Sequence, residues 1–232
     1  MRTYFTTVFG VPEPQLLWLF DSELDAIEMG KAISRHLEAF QRCARDVIVY
    51  YVGHAKRTRK YQQFYLAIRD TQSNDPEGTS LNVGSLASIL EKQARTLRRF
   101  YILDCCFAAN ALITLQGTPE AELLHNVLEE VEHQTQGYAA LCSSGMFDPS
   151  LLLPDHTNTF FSAALQHVLT EGKPRANRAL SLRDVHDALN PQLWTLYQTV
   201  LSHPKAQQPP DAMIYGGSEL IRLPIFPNKT QK

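Results

Sequence analysis

Arg99-Phe100-Tyr101-Ile102-Leu103-Asp104-Cys105-Cys106-Phe107-Ala108-Ala109 is the stretch that decides the fold. A basic pair, Arg98-Arg99, leads into a short apolar run that stops at an acid, two adjacent cysteines and then small residues. An apolar run of this length between polar bounds reads as a buried strand. Its last residues should emerge at the carboxyl end of a parallel sheet, where open α/β sheets place ligands. A cysteine there, followed by small residues that permit close backbone approach, is placed like a nucleophile. Taken alone, both cysteines read more readily as core thiols, since free Cys is among the most buried residue types.

A second stretch upstream has the same design. Asp46-Val-Ile-Val-Tyr-Tyr-Val52 is a polar start followed by six apolar residues, and Gly53-His54-Ala55 forms the exit. Parallel strands lying side by side would bring imidazole and thiol to one edge of the sheet. That pairing yields thiolate near neutral pH, and thiolate is the reactive form. His54 precedes Cys106 by 52 residues, 106 − 54. A catalytic His about 50 residues upstream of the Cys is the caspase arrangement.

With both stretches in view, the chain resembles the caspase and metacaspase superfamily of cysteine proteases, specifically its bacterial caspase-like branch. There the His strand ends in Ser/Ala-Gly-His-Gly and the Cys strand in Asp-Ser/Cys-Cys-His/Phe-Ser-Gly. Here they stand as Val-Gly-His-Ala and Asp-Cys-Cys-Phe-Ala-Ala. The resemblance runs from about Leu16 to about Asn228 and implies an α/β caspase-like fold, with a mostly parallel central sheet and helices on both faces. The expected organisation is one peptidase domain over 1–228 with a tail at 229–232. The resemblance also implies that the family's first strand and part of its first helix are missing, which would leave a sheet edge open.

Composition agrees with one globular domain. The chain has 232 residues, 44% of them apolar and 20% charged, enough to bury a substantial core. A net charge of −2 gives no global pull towards nucleic acid or an anionic membrane. The basic run Lys56-Arg57-Thr58-Arg59-Lys60 reads as a solvated loop, with a nucleic-acid patch as the alternative. Four cysteines (Cys43, Cys105, Cys106, Cys142) without C-x-x-C spacing point to a reducing compartment and to no zinc site. With no signal peptide and no membrane-length apolar run, a soluble cytoplasmic protein is expected.

In chain order, residues 1–10 read as the end of a helix closed by Gly10, and Pro12 and Pro14 as a turn. Gln15–Phe20 reads as a strand, and Glu23 to about Cys43 as a helix capped by Asp21-Ser22. Gln63–Ile68 reads as a further strand, Asp70–Thr79 as a loop, and the segment after Ser80 as a helix. A helix begins after Ala109, breaks near Gly117-Thr118-Pro119 and resumes over Glu120–Gln134, with no cleavage signature. Tyr138–Ser144 reads as a strand, and Asn158–Leu169 and Ser181–Leu189 as helices, the second opening on a Ser181/Asp184 cap. Pro204–Pro210 reads as a loop and Ser218–Leu223 as the closing strand. Alternating strands and helices argue for a parallel sheet.

The resemblance makes Cys106 the nucleophile, two residues after the acid, and Cys105 its buried neighbour. Strand alternation by itself shows only that the two point oppositely. His54 would take and return the thiol proton. The backbone N–H groups of Ala55 and Cys106 would hold the oxyanion. Ala55 and Ala109 stand where the family carries Gly. Asp104 would line the primary specificity pocket and favour Arg or Lys at P1. Ser144 and Asp148, in a Ser-Gly-x-x-Asp stretch, would border the substrate cleft. No cofactor and no metal are expected. The expected partners are a protein or peptide substrate and an activating sensor or scaffold protein in a bacterial defence or signalling system. A catalytically silent caspase-like binding module is the alternative. A nucleotide-binding domain is disfavoured, because no Gly-rich loop follows a strand.

Overall fold

The structure is a computed structural model that describes residues 1–58, 63–115, 137–145, 150–155, 157–174, 177–200 and 210–230. In chain order the strands are β1 (Asp46–Val52), β2 (Ala55–Arg57), β3 (Phe64–Leu66), β4 (Leu81–Asn82), β5 (Arg98–Asp104), β6 (Tyr138–Cys142), β7 (Ala179–Leu180), β8 (Met213–Gly216) and β9 (Phe226–Pro227). The helices are α1 (Ala26–Phe40), α2 (Pro76–Thr79), α3 (Val83–Gln93), α4 (Ala108–Leu115), α5 (Phe160–Glu171), α6 (Leu182–Val200) and α7 (Ser218–Ile221). A π-turn at Tyr4–Val8 precedes them.

The central sheet runs β1-β5-β6-β8, parallel except for β8. β5 is buried from Phe100 on, at 0–1% exposure through Leu103, because both of its faces are covered. Phe100 and Ile102 face a core built from α5, α6 and the amino-terminal Tyr4 and Phe5. Tyr101, Leu103 and Cys105 face a second core built from α1, α3 and α4. This is the expected mostly parallel α/β architecture. β2, β3 and β4 form a separate antiparallel sheet beside the carboxyl end of β1, and β7 pairs with β9.

Local chemistry starts most helices where a cap permits. Asp25 caps α1 by accepting from Glu28 N–H at 2.7 Å, so the helix begins later than Asp21-Ser22 suggested. Asn82 caps α3 through Ser85 N–H at 3.0 Å, in place of Ser80. Ser181 and Asp184 form the expected reciprocal cap, with Ser181 N–H donating to Asp184 at 3.0 Å and Asp184 N–H to Ser181 at 3.1 Å. α6 then runs through Pro191 to Val200, beyond the expected end at Leu189. Val185, Leu189, Leu193 and Tyr197 recur every fourth residue at 0–2% exposure, and this buried stripe outweighs the cost of the proline.

Two expected strands are not strands. Gln15–Phe20 forms no ladder. Leu16 packs on one core and Leu19 on the other, so the segment passes around the sheet rather than along it. The closing strand is Met213–Gly216, and Ser218–Ile221 is a short helix. Gly216 sits at φ 120°, where a Cβ would come within 2.7 Å of Ala139 Cα, so only glycine lets β8 close onto β6 there. The expected segments at 117–134 and 204–209 lie outside the described residues.

β1 is an edge of the central sheet among the described residues. Arg98 N–H donates to Arg45 and Gly53 N–H to Asp104, so odd-numbered β1 residues bond to β5. The backbone groups of Asp46, Ile48, Tyr50 and Val52 face outward, and every residue of β1 is only half-buried. No helix among the described residues is long and apolar enough to cross a membrane.

Candidate active site

Parallel pairing sets Val52 opposite Asp104, and the last bond of the ladder runs from Gly53 N–H to the Asp104 carbonyl at 3.1 Å. His54 and Cys106 each lie two residues beyond that shared rung. They therefore leave the carboxyl ends of neighbouring parallel strands. His54 is exposed and Cys106 half-buried. The His54 ring makes no hydrogen bond among the described residues.

Tyr51 fixes the turn that carries His54. Its hydroxyl lies 2.6 Å from the His54 carbonyl and 2.9 Å from the Ala67 carbonyl. The ring folds over Gly53, where an added Cβ would meet Tyr51 Oη at 2.6 Å. Burial first, and then the nearby Cys105, push the Tyr51 phenol well up and outweigh the lowering from its hydrogen bond to Ala67, so it stays a donor.

Among the described residues, the phase of the backbone ladders leaves two donors uncommitted. Ala67 N–H donates to His54 at 2.8 Å and Thr58 N–H to Gln63 at 2.9 Å, so even-numbered β2 residues bond to β3. The Ala55 N–H therefore faces away from β3. Ala55 has no positive φ, so its methyl group is carried without backbone strain. On β5, Cys106 N–H is the next donor on the β1 side, and no bond to Gly53 takes it up.

The turn after β5 is held from beneath. Phe107 adopts φ 58°, a left-handed conformation rare for an aromatic residue, and it lets α4 start at Ala108 immediately behind Cys106. Ser144 Oγ donates to the Cys105 carbonyl at 2.9 Å and accepts from Ala108 N–H at 3.2 Å. Ser143 Oγ lies 3.3 Å from the same carbonyl. Ala109 is buried in the first turn of α4 without positive φ.

The cysteines divide by environment. Cys105 and Cys142 are 0% exposed. Burial drives both thiols well up, and for Cys105 nearby Cys142, Asp104 and Cys106 add to it. Cys43 is exposed and precedes the amino end of β1.

Asp104 is fully buried. Its Oδ1 accepts from Ser150 Oγ at 2.9 Å, and its Oδ2 accepts from Ser162 Oγ at 2.5 Å and from Thr159 Oγ1. Ser144 is 3% exposed. Asp148 lies outside the described residues. No group of three or more His, Cys, Asp or Glu side chains that could hold a metal occurs among the described residues.

The structure thus brings His54, Ala55, Asp104, Cys106 and Ser144 to one end of the sheet. Sequence reasoning missed Tyr51, Ser143, Ser150, Thr159 and Ser162. Tyr51 stood three residues before His54 but read as one more apolar residue of the strand. The hydroxyls around Asp104 come from segments 46–58 residues further along the chain, and no local signal marks them.

No protein-family model matches the chain, and no curated protein does. Among solved structures it is similar to caspase-1 from Spodoptera frugiperda, with a TM-score of 0.53 and 12% identity over 91% of this chain and 75% of that one. A protein from Geobacter sulfurreducens aligns with a TM-score of 0.46 and 13% identity, over 87% of this chain and 78% of that one. Identity this low speaks to architecture and not to activity. The chain has a caspase-like fold.

Proposed function

We propose that this protein is a cysteine endopeptidase, with Cys106 as nucleophile and His54 as the acid–base group. The observation that carries the proposal is the exit of both residues from adjacent parallel strands, each two residues past one rung. The Cys106 thiol passes its proton to the His54 imidazole as sulfur attacks the peptide carbonyl carbon. The oxyanion accepts hydrogen bonds from the uncommitted Ala55 and Cys106 N–H groups. Collapse breaks the C–N bond, and imidazolium protonates the departing amine, leaving a thioester. Water, deprotonated by the same imidazole, then releases the acid and restores the thiol.

Preference for Arg or Lys at P1 belongs to this reading only if the substrate cation reaches Asp104, an acid whose oxygens already serve three hydroxyls. An activating sensor or scaffold protein enters as a regulator of the same site. The test is peptide cleavage by the parent, Cys106→Ala and His54→Ala, with folding checked by circular dichroism. Each variant should lose at least about a thousandfold in kcat/KM. If either cleaves like the parent, the assignment is wrong. If the parent cleaves nothing and Cys106 is no more reactive than a simple thiol, the chain is a silent caspase-like binding module.

A further inference from the structure

We propose that Asp104 is a positioning residue that locks the Cys106 strand tip to the amino end of α5, and that it does not read the charge of a P1 side chain. The proposal rests on Cys106 being the nucleophile. Asp104 ends β5 on the face that carries Phe100 and Ile102, and it is 0% exposed. Among the described residues no lysine, arginine or histidine forms an ion pair with it. A buried carboxylate without a cation is costly unless hydrogen bonds compensate it.

Here they do. A carboxylate only accepts, so Ser150, Thr159 and Ser162 must each give it their hydroxyl proton. That fixes the direction of every further bond. Ser162, its proton spent, accepts from the Tyr50 hydroxyl at 3.0 Å. Burial pushes the Tyr50 phenol up and outweighs the lowering from its hydrogen bond with Ser162, and the charge of Asp104 adds to the rise, which keeps its proton in place. Thr159 Oγ1 accepts Ser162 N–H at 2.9 Å and so caps α5, while Ser150 lies 3.3 Å from Ser143. Asp104 therefore sits at the positive end of a 12-residue helix.

One carboxylate thus ties together β1 through Tyr50, β5 itself, the start of α5, and the loop after β6 through Ser150 and Ser143. Cys106 is two residues away and His54 leaves the strand that carries Tyr50. A P1 cation could reach the acid only by displacing those hydroxyls and opening the start of α5.

The test is Asp104→Asn in the full chain, with kcat and KM measured on one peptide series bearing Arg, Lys, Gln, Leu or Asp at P1, and the rate of Cys106 alkylation by iodoacetamide. Displacing the strand tip should lower kcat by a factor of about 10 to 100. The factor should be the same for every P1 residue, with KM and the rank of P1 residues unchanged, and alkylation should slow in parallel. A selective loss on Arg and Lys peptides with neutral P1 unaffected overturns the proposal, as does unchanged kcat and alkylation. If Asp104→Asn does not fold, Ser162→Ala keeps two of the three hydroxyls and should show the same uniform pattern at smaller size. A Ser162→Ala protein matching the parent in kcat and alkylation overturns it as well. If the parent cleaves no peptide, the peptidase reading fails separately, and alkylation rates of the variants still decide whether Asp104 positions Cys106.

Discussion

Ser144→Ala separates bracing of the nucleophile turn from lining of the substrate cleft. In the parent, Ser144 is 3% exposed, donates to the Cys105 carbonyl at 2.9 Å and accepts from Ala108 N–H at 3.2 Å. The variant leaves the N–H of the fully buried Ala108 without that partner, which costs about 1–3 kcal/mol. The Cys105 carbonyl keeps only Ser143 at 3.3 Å, and losing its better donor adds about 1 kcal/mol. The total is about 2–4 kcal/mol, or roughly 4–16 °C in Tm for a chain of this size. Urea denaturation followed by circular dichroism measures the first figure, and a thermal melt the second. Because the turn carries the Cys106 N–H and thiol, kcat should fall about tenfold while KM stays put. Stability within about 0.5 kcal/mol of the parent refutes the bracing role. A raised KM with kcat intact restores Ser144 to the cleft.

Gly53→Ala should destabilise by about 1–3 kcal/mol, because the methyl would meet Tyr51 Oη at 2.6 Å and displace the ring. In a Tyr51→Phe background the cost should shrink, and urea-melt double-mutant cycles that show strict additivity would falsify the contact. Brief iodoacetamide treatment of the native protein, read by peptide mass spectrometry, should modify Cys43 and Cys106 and spare Cys105 and Cys142, the two thiols that burial pushes up. Labelling of all four at similar rates overturns this division. Ser181→Ala should cost about 1 kcal/mol near neutral pH. Burial alone would raise the Asp184 carboxyl, but hydrogen bonds from Ser181 and Lys173 outweigh it and leave it lowered. A lowered folded value contributes stability above the unfolded carboxyl range, near pH 4, and loses it as pH falls through the folded value. The gap between variant and parent should therefore be full at pH 7 and shrink below about pH 4. A gap that is constant with pH contradicts it.

What the sequence determined by itself was whatever rests on neighbours along the chain. Val47–Val52 and Phe100–Leu103 are unbroken apolar runs, the pattern of strands in a parallel sheet covered by helices, so β1 and β5 were legible as strands. His54 and Cys106 could be named from what ends those runs, and the cap at Ser181 and Asp184 from a spacing of three. Tertiary structure decided the rest. Gln15–Phe20 has an apolar pattern but no ladder, because a strand exists only where another edge pairs with it. Met213–Gly216 took the closing place expected of Ser218–Leu223, because Gly216, without a Cβ, can approach the backbone of β6. Pro191 did not end its helix, because Leu193 and Tyr197 still had a core to enter. The environment of Asp104 lay beyond any local reading, since its partners Ser150, Thr159 and Ser162, and Tyr50 behind Ser162, meet only when four segments pack. Periodicity reports burial within one segment. Which hydroxyl faces which carboxylate is settled by the packing of segments that are remote in the chain.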